Sequence, residues 1–373
     1  MRDLLDILAA VAALDPNDGS AVLATVVRVE GSSYRLPGAR MLIEANGART
    51  GSVSGGCLEA DIARRGRLLT IERPRELVRY DGSDEDVAWG FGLGCNGSIE
   101  VLIERLDAEP RAGLAFIRHC VEQRAGGTLV TIFRADGDVP FHAGERFNSA
   151  DDIPSLFGND SRVTTTVTCE TTTGGRVQAL VEAIHPPLPL VIFGAGHDAA
   201  PLVRAAKQLG WHVTIADRRA GYARSDRFPL ADAVVACDID AMADRIRVTS
   251  DTAAVVMTHH FPDDQVLIPM LLRSPARYIG VLGPRARTER MLAQAQYSND
   301  QLARLHAPVG LDIGAEGPDQ VALAVVAEII AATKRRPAGS LRDRVGPIHE
   351  PPSVRTIAAT DGATPACPAA EEQ

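Results

Sequence analysis

Three prolines fall within five residues at His185-Pro186-Pro187-Leu188-Pro189, a run that neither a helix interior nor a central strand accommodates. The chain must change architecture there. After the break, apolar runs at residues 190–193, 212–216, 233–236, 253–258, 278–282 and 309–313 alternate with helical patterns at 199–209, 242–248, 264–272, 285–296 and 318–333. Such alternation predicts an α/β domain over residues 190–340, a Rossmann-like doubly wound parallel sheet with helices on both faces. Before the break, strand-like segments at 21–29, 40–43, 77–80, 98–106, 128–134, 163–168 and 177–184 outnumber three helical ones, at the start of the chain and at 58–69 and 112–124. This predicts a mixed α+β N-terminal domain over residues 1–184 with a largely antiparallel sheet, joined through a linker at 185–189. Residues 148–161 read as a surface loop. Residues 341–373 form a tail that, from about residue 351, carries too little apolar surface to offset the entropy of ordering it.

Composition narrows the function. Only 4% of the 373 residues are aromatic, and 39 basic against 48 acidic residues leave a net charge of −9. Neither stacking platforms nor a general basic field is available, so nucleic acid and anionic membranes are not expected partners. Asp3 and Asp6 interrupt the apolar opening segment, and no run approaches the roughly 18 apolar residues of a membrane span. The six cysteines are scattered without a CxxC pair, which fits free thiols in a reducing cytoplasm and gives no zinc site. No phosphate-binding G-x-x-x-x-G-K-[ST], G-x-S-x-G or H-E-x-x-H occurs.

Gly194-Ala195-Gly196-His197-Asp198-Ala199 follows the first strand of the second domain and opens a helix. In this G-x-G-x-x-A order the first glycine permits the turn, the second lets backbone approach a pyrophosphate, and the small third residue allows close packing. Asp217 ends the next strand, where a carboxylate binds a ribose hydroxyl. Gly194, Gly196, His197 and Asp217 are therefore candidate residues for NAD(P), and an NAD(P)-dependent oxidoreductase is one functional reading. The other is the same fold with an altered pocket. Thr258-His259-His260-Phe261-Pro262-Asp263-Asp264 follows the fourth strand, and Gly283-Pro284-Arg285-Ala286-Arg287 the fifth. His259 and the nearby acids could move protons or bind a metal, although no third dispersed metal ligand is evident; Arg285 and Arg287 are candidate anion ligands, and Asp263 or Asp264 equally serves as a helix cap.

Two cysteines sit in glycine-rich loops of the first half. Gly55-Gly56-Cys57 precedes a helix whose Leu58, Ile62 and Leu69 share a face, so Cys57 belongs at its N-terminus, where thiolate is favoured. Cys95 follows Gly94 in Trp89-Gly90-Phe91-Gly92-Leu93-Gly94-Cys95-Asn96-Gly97. Glycine this dense points to a ligand close to backbone. A single cysteine alone reads equally as a small buried hydrophobe. Arg35 and Arg40, within residues 31–40, suit a phosphate or carboxylate, or a solvated turn.

These same stretches resemble the XdhC/CoxI family. GSSYRLPGARM, GSVSGGCLE, WGFGLGCNG, FGAGHDA, THHFPDD, YIGVLGPRARTER and PVGLDIGAEGPDQVALAVVAEI occur in family order, covering the chain from Gly31 to about His349. His260 and Asn96 depart from the family pattern. The resemblance implies a cofactor-maturation chaperone rather than a turnover enzyme: an accessory factor of the xanthine dehydrogenase class that binds molybdenum cofactor, assists its sulfuration and hands it to a molybdenum hydroxylase apoenzyme, with a cysteine desulfurase as a further partner. It makes Cys57 the first and Cys95 the second candidate for cofactor or sulfur handling. A sulfur carrier or redox relay is a third reading of the paired thiols. Homodimerisation is expected through the apolar opening helix and the strand-rich first half.

Overall fold

The computed structural model describes residues 1–15, 19–81, 97–151, 153–157, 163–170, 174–293, 295–345, 348 and 353–358. The chain divides between Pro186 and Pro187 into two compact units, Asp3–Pro186 with the segment from Val345, and Pro187–Arg344.

In the first unit, β1 (Val22–Gly31), β2 (Arg40–Ile43), β3 (Arg49–Gly51), β4 (Arg75–Asp81) and β5 (Gly97–Arg105) form an antiparallel sheet in the order β3-β2-β1-β5-β4. Strand alternation sorts its side chains. Val22, Ala24 and Val26 pack with Ile62 and Ala63 of α2 (Glu59–Gly66), whereas Leu23 and Leu42 face α1 (Arg2–Ala13) and α3 (Ala108–Gln123). A second sheet contains β6 (Gly127–Asp136), β7 (Arg146–Asn148), β8 (Thr165–Glu170) and β9 (Arg176–Ile184). Val27 and Leu102 of the first sheet meet Phe133 and Leu180 of the second in a shared buried cluster. The N-terminal half thus holds two sheets in place of the expected one, and its three-residue strands β3 and β7 are too short to leave a periodic signal in the sequence.

The second unit carries an all-parallel sheet built from β10 (Pro189–Phe193), β11 (His212–Asp217), β12 (Ala233–Ala236), β13 (Ala253–Val256), β14 (Tyr278–Val281) and β15 (Leu305–His306), in the order β12-β11-β10-β13-β14-β15. Leu190 and Ile192 enter one core with α4 (Ala199–Gln208) and α9 (Gly317–Thr333). Val191 and Phe193 enter the other with Met242 of α5 (Met242–Arg245), Leu267 and Leu271 of α6 (Phe261–Arg273), and Met291 of α7 (Arg285–Leu292). This two-sided burial is the doubly wound α/β architecture. Strand order reverses beside β10, which puts the glycine turn at the sheet's ligand-binding edge.

Two expectations require correction. The sixth strand lies at Leu305–His306, after the short α8 (Asn299–Leu302), rather than at 309–313. Val309 N–H still reaches the Val281 carbonyl, but Gly310 takes φ +102° and turns the chain against Ala324 of α9, so the apolar run cannot continue as a strand. The tail is also not wholly without structure: β16 (Ser353–Ala358) pairs in parallel with β8, and Ile357 joins the buried cluster of the second sheet. Backbone pairing with β8 and the packing of the single residue Ile357 order this segment, a local contribution that the tail's average composition conceals.

Candidate functional site

The Gly55-Gly56-Cys57 loop is organised by Ser54 and Glu59. Glu59, at the start of α2, is buried and accepts hydrogen bonds from Val53 N–H (3.3 Å), Ser54 N–H (2.9 Å) and Ser54 Oγ (2.5 Å). Burial opposes its ionisation, but the Ser54 hydroxyl and surrounding backbone N–H groups outweigh it and hold the carboxyl below its ordinary range. Ser54 Oγ accepts in turn from Gly56 N–H (3.1 Å) and Leu58 N–H (3.2 Å), and lies 3.5 Å from Cys57 Sγ. The network bends the chain so that Cys57 is exposed immediately ahead of Leu58, the residue that caps α2. Gly56 has φ +114°, and a Cβ there would meet no atom within 4 Å; on Gly55 it would lie 3.9 Å from the exposed Tyr34 ring. The loop therefore presents an open backbone surface beside an accessible sulfur.

The other loops of this unit contribute unequally. Gly94 and Cys95 lie outside the described residues. Gly97, which follows them, pairs with Gly31 at the end of β1, and a Cβ on it would approach Ser32 O to 2.3 Å. Arg35 is paired with Asp3 at 2.6 Å. Arg40 is not a free anion ligand: its side chain is 7% exposed, Nη2 lies 2.5 Å from Glu182 Oε2 on β9, and Nη1 donates to Gly38 O at 2.9 Å. Its charge is consumed in joining the two sheets. Cys120 and Cys169 are buried, and burial raises both thiols, Cys169 to about 11.

At the carboxyl edge of the parallel sheet, the glycine turn has the predicted shape but altered surroundings. Gly194 has φ +121°, and a Cβ would strike Met257 O at 2.4 Å, which explains the first glycine. Asp217 is buried, and its carboxylate already accepts four bonds: Ala195 N–H (2.7 Å), Arg219 N–H (2.8 Å), Arg219 Nε (2.9 Å) and Arg219 Nη2 (2.7 Å). Burial opposes its charge, yet the Arg219 and backbone donors hold its ionisation below the ordinary range. A carboxylate offers about four lone-pair sites, so the expected ribose ligand is saturated within the fold. His197 is exposed, while His259 bonds through Nε2 to Asp198 Oδ2 at 2.6 Å. Arg287 pairs with the buried Asp264 at 2.5 Å, and Thr258 Oγ1 donates to the same carboxyl. Burial raises Asp264 despite these partners. Arg285 is exposed at the start of α7.

Two residues central to this geometry, Glu59 and Asp198, are not singled out by sequence pattern, and Arg219 is visible there only as a neighbour of Asp217. Glu59 shows there as an acid in a helix's first turn, but its loop-organising contacts do not. Asp198 occupies a variable position of the glycine-turn motif, and Arg219 has the place of a nucleotide selector; their partners only emerge on folding. Among the described residues, no cluster of three His, Cys, Asp or Glu side chains is placed to hold a metal ion, and no helix is long and apolar enough to cross a membrane.

A parallel sheet with a glycine turn, joined to a unit that displays a glycine-cysteine loop, defines the class, and comparison with known proteins specifies it. Residues 190–329 match the XdhC Rossmann domain and residues 16–81 match the XdhC and CoxI family. The chain is 36% identical over 324 residues to a probable subunit of xanthine dehydrogenase from Bacillus subtilis, covering 87% of this chain and 96% of that protein. It is 26% identical over 326 residues to the molybdenum cofactor insertion chaperone PaoD of Escherichia coli, covering 86% and 85% respectively. A solved structure described as a xanthine dehydrogenase from Bacillus halodurans superposes with a TM-score of 0.71 at 31% identity, over 91% of this chain and 98% of that one. The chain belongs to the XdhC/CoxI family.

Proposed function

We propose that this protein is a molybdenum-cofactor chaperone: it binds the cofactor as cargo, assists its sulfuration and delivers it to a molybdenum hydroxylase of the xanthine dehydrogenase class. The observation that carries the proposal is the exposed Cys57 beside the open Gly56 backbone, set by the Ser54–Glu59 network. A soft sulfur donor suits a metal–sulfur centre, and accessible backbone at glycine suits a flat ligand lying close to the chain. Membership of a family that includes an insertion chaperone supports the same reading. Cys95 is the second proposed thiol. A hydroxylase apoenzyme and a cysteine desulfurase as partners, homodimeric assembly and a cytoplasmic setting complete the proposal. The saturated Asp217 carboxylate weighs against an NAD(P)-dependent oxidoreductase.

The test is anaerobic incubation of metal-free protein with molybdenum cofactor, desalting, and quantification of retained molybdenum and pterin. Stoichiometric retention that falls in Cys57→Ala is the expected result. Absence of retention by folded wild-type protein overturns cofactor binding; undiminished retention by a Cys57→Ala, Cys95→Ala double variant overturns the assignment of the thiols.

A further inference from the structure

The glycine turn that gives the second unit its nucleotide-binding appearance is occupied by a side chain of its own. Asp198 stands at the N-cap of α4, yet its carboxylate makes no capping bond to the helix. It lies over Gly196 instead: a Cβ on that glycine would sit 2.4 Å from Asp198 Oδ1 and 4.0 Å from the His259 ring. Gly196 is the position whose missing side chain admits a pyrophosphate in the G-x-G-x-x-A turn. Here the vacated volume faces a carboxylate.

His259 holds that carboxylate in place through the 2.6 Å Nε2–Oδ2 contact. It does so from a left-handed backbone conformation, φ +56°, which costs a non-glycine residue energy and persists where its surroundings enforce it. The bond spans the ends of β10 and β13, the two strands between which the topology switches. The bond sets a carboxylate beside Gly196, where the pyrophosphate of a dinucleotide approaches the turn, and the internally satisfied Asp217 offers no free carboxylate for its ribose.

We propose that Asp198, fixed by His259, is a specificity-determining residue that shuts phosphate-bearing ligands out of the glycine turn. A phosphate brought there meets a like charge at contact distance, and like-charge juxtaposition is an effective means of rejecting a wrong ligand. The exclusion does not depend on what cargo the first unit carries. It also means that any anionic ligand of this protein has its phosphate recognised elsewhere.

Isothermal titration of the full chain with inorganic pyrophosphate and, separately, with NAD⁺ tests the idea. Wild type is expected to bind both with dissociation constants above about 1 mM. Asp198→Ala is expected to tighten pyrophosphate binding by about tenfold or more, and Asp198→Asn, isosteric but uncharged, to tighten it as well. Asp226→Ala is the charge control: it removes an exposed carboxylate paired with Arg224, and should leave binding unchanged. Circular dichroism verifies folding, and Asp198→Asn carries the test if the alanine variant does not fold. Micromolar binding of either probe to wild type overturns the proposal. So does a folded Asp198 variant that binds pyrophosphate no better than wild type, or an equal gain in Asp226→Ala.

Discussion

Replacing Arg40 by Met separates a structural guanidinium from an anion-binding one. In the structure Arg40 and Glu182 are 7% and 5% exposed and 2.5 Å apart, and Arg40 also donates to Gly38 O. Removing one member of such a pair strands the other charge in the interior, at a cost of about 3–5 kcal/mol. The uncharged Met fills much of the same volume, so little of that cost comes from a cavity. Replacing both partners, as Arg40→Met with Glu182→Leu, removes the stranded charge and should return stability to within about 1 kcal/mol of wild type. The double-mutant cycle should therefore show a coupling energy of about 3 kcal/mol or more. Because the protein has two compact units, a single bulk transition is the wrong readout. Hydrogen exchange followed by mass spectrometry across a urea series reads peptides containing β2 and β9 directly. A single-variant cost below about 1 kcal/mol, or simple additivity in the double variant, would refute the buried-pair reasoning. Loss of cofactor retention in a well-folded double variant would return Arg40 to the ligand set.

Two further outcomes follow from the carboxylates. Glu59 is ionised below its ordinary value of 4.5 in the folded protein, so its contribution is complete above that value and is lost as pH falls through the lower folded-state value. Glu59→Gln should therefore speed hydrogen exchange in peptides spanning the Cys57 loop and α2 relative to wild type at pH 7, with the gap closing in acid; a gap that is constant from pH 7 to pH 3 contradicts the assignment. Asp217→Asn weakens a carboxylate that accepts four hydrogen bonds. A loss of about 1.5–3 kcal/mol is expected, measured as faster hydrogen exchange around the glycine turn, and unchanged exchange there would count against a structural role.

What the sequence disclosed and withheld follows from the range of the interactions involved. The parallel sheet was legible because its signals are local: short apolar runs, helical periods between them, and a glycine turn whose Gly194 has no space for a Cβ beside Met257 O. The misplaced sixth strand marks the limit of that logic, since an apolar run identifies burial, and only the contact of Gly310 with α9 decides whether it is extended. Site residues posed the harder problem because residue type states what a side chain can do, whereas its partner states whether that capacity is spent. Arg40 is as basic as any anion ligand, but Glu182 lies 142 positions away in sequence. Asp217 stands where a ribose ligand belongs, and Arg219, only two positions on, neutralises it. Cys57 differs because its organising partners, Ser54 and Glu59, are within five residues, so the chain encodes both the thiol and its presentation in one short segment. That locality is a physical reason for the motif to remain readable where the charged candidates did not: the loop can keep its shape as long as Ser54 and Glu59 are kept, whatever changes in the distant sheets.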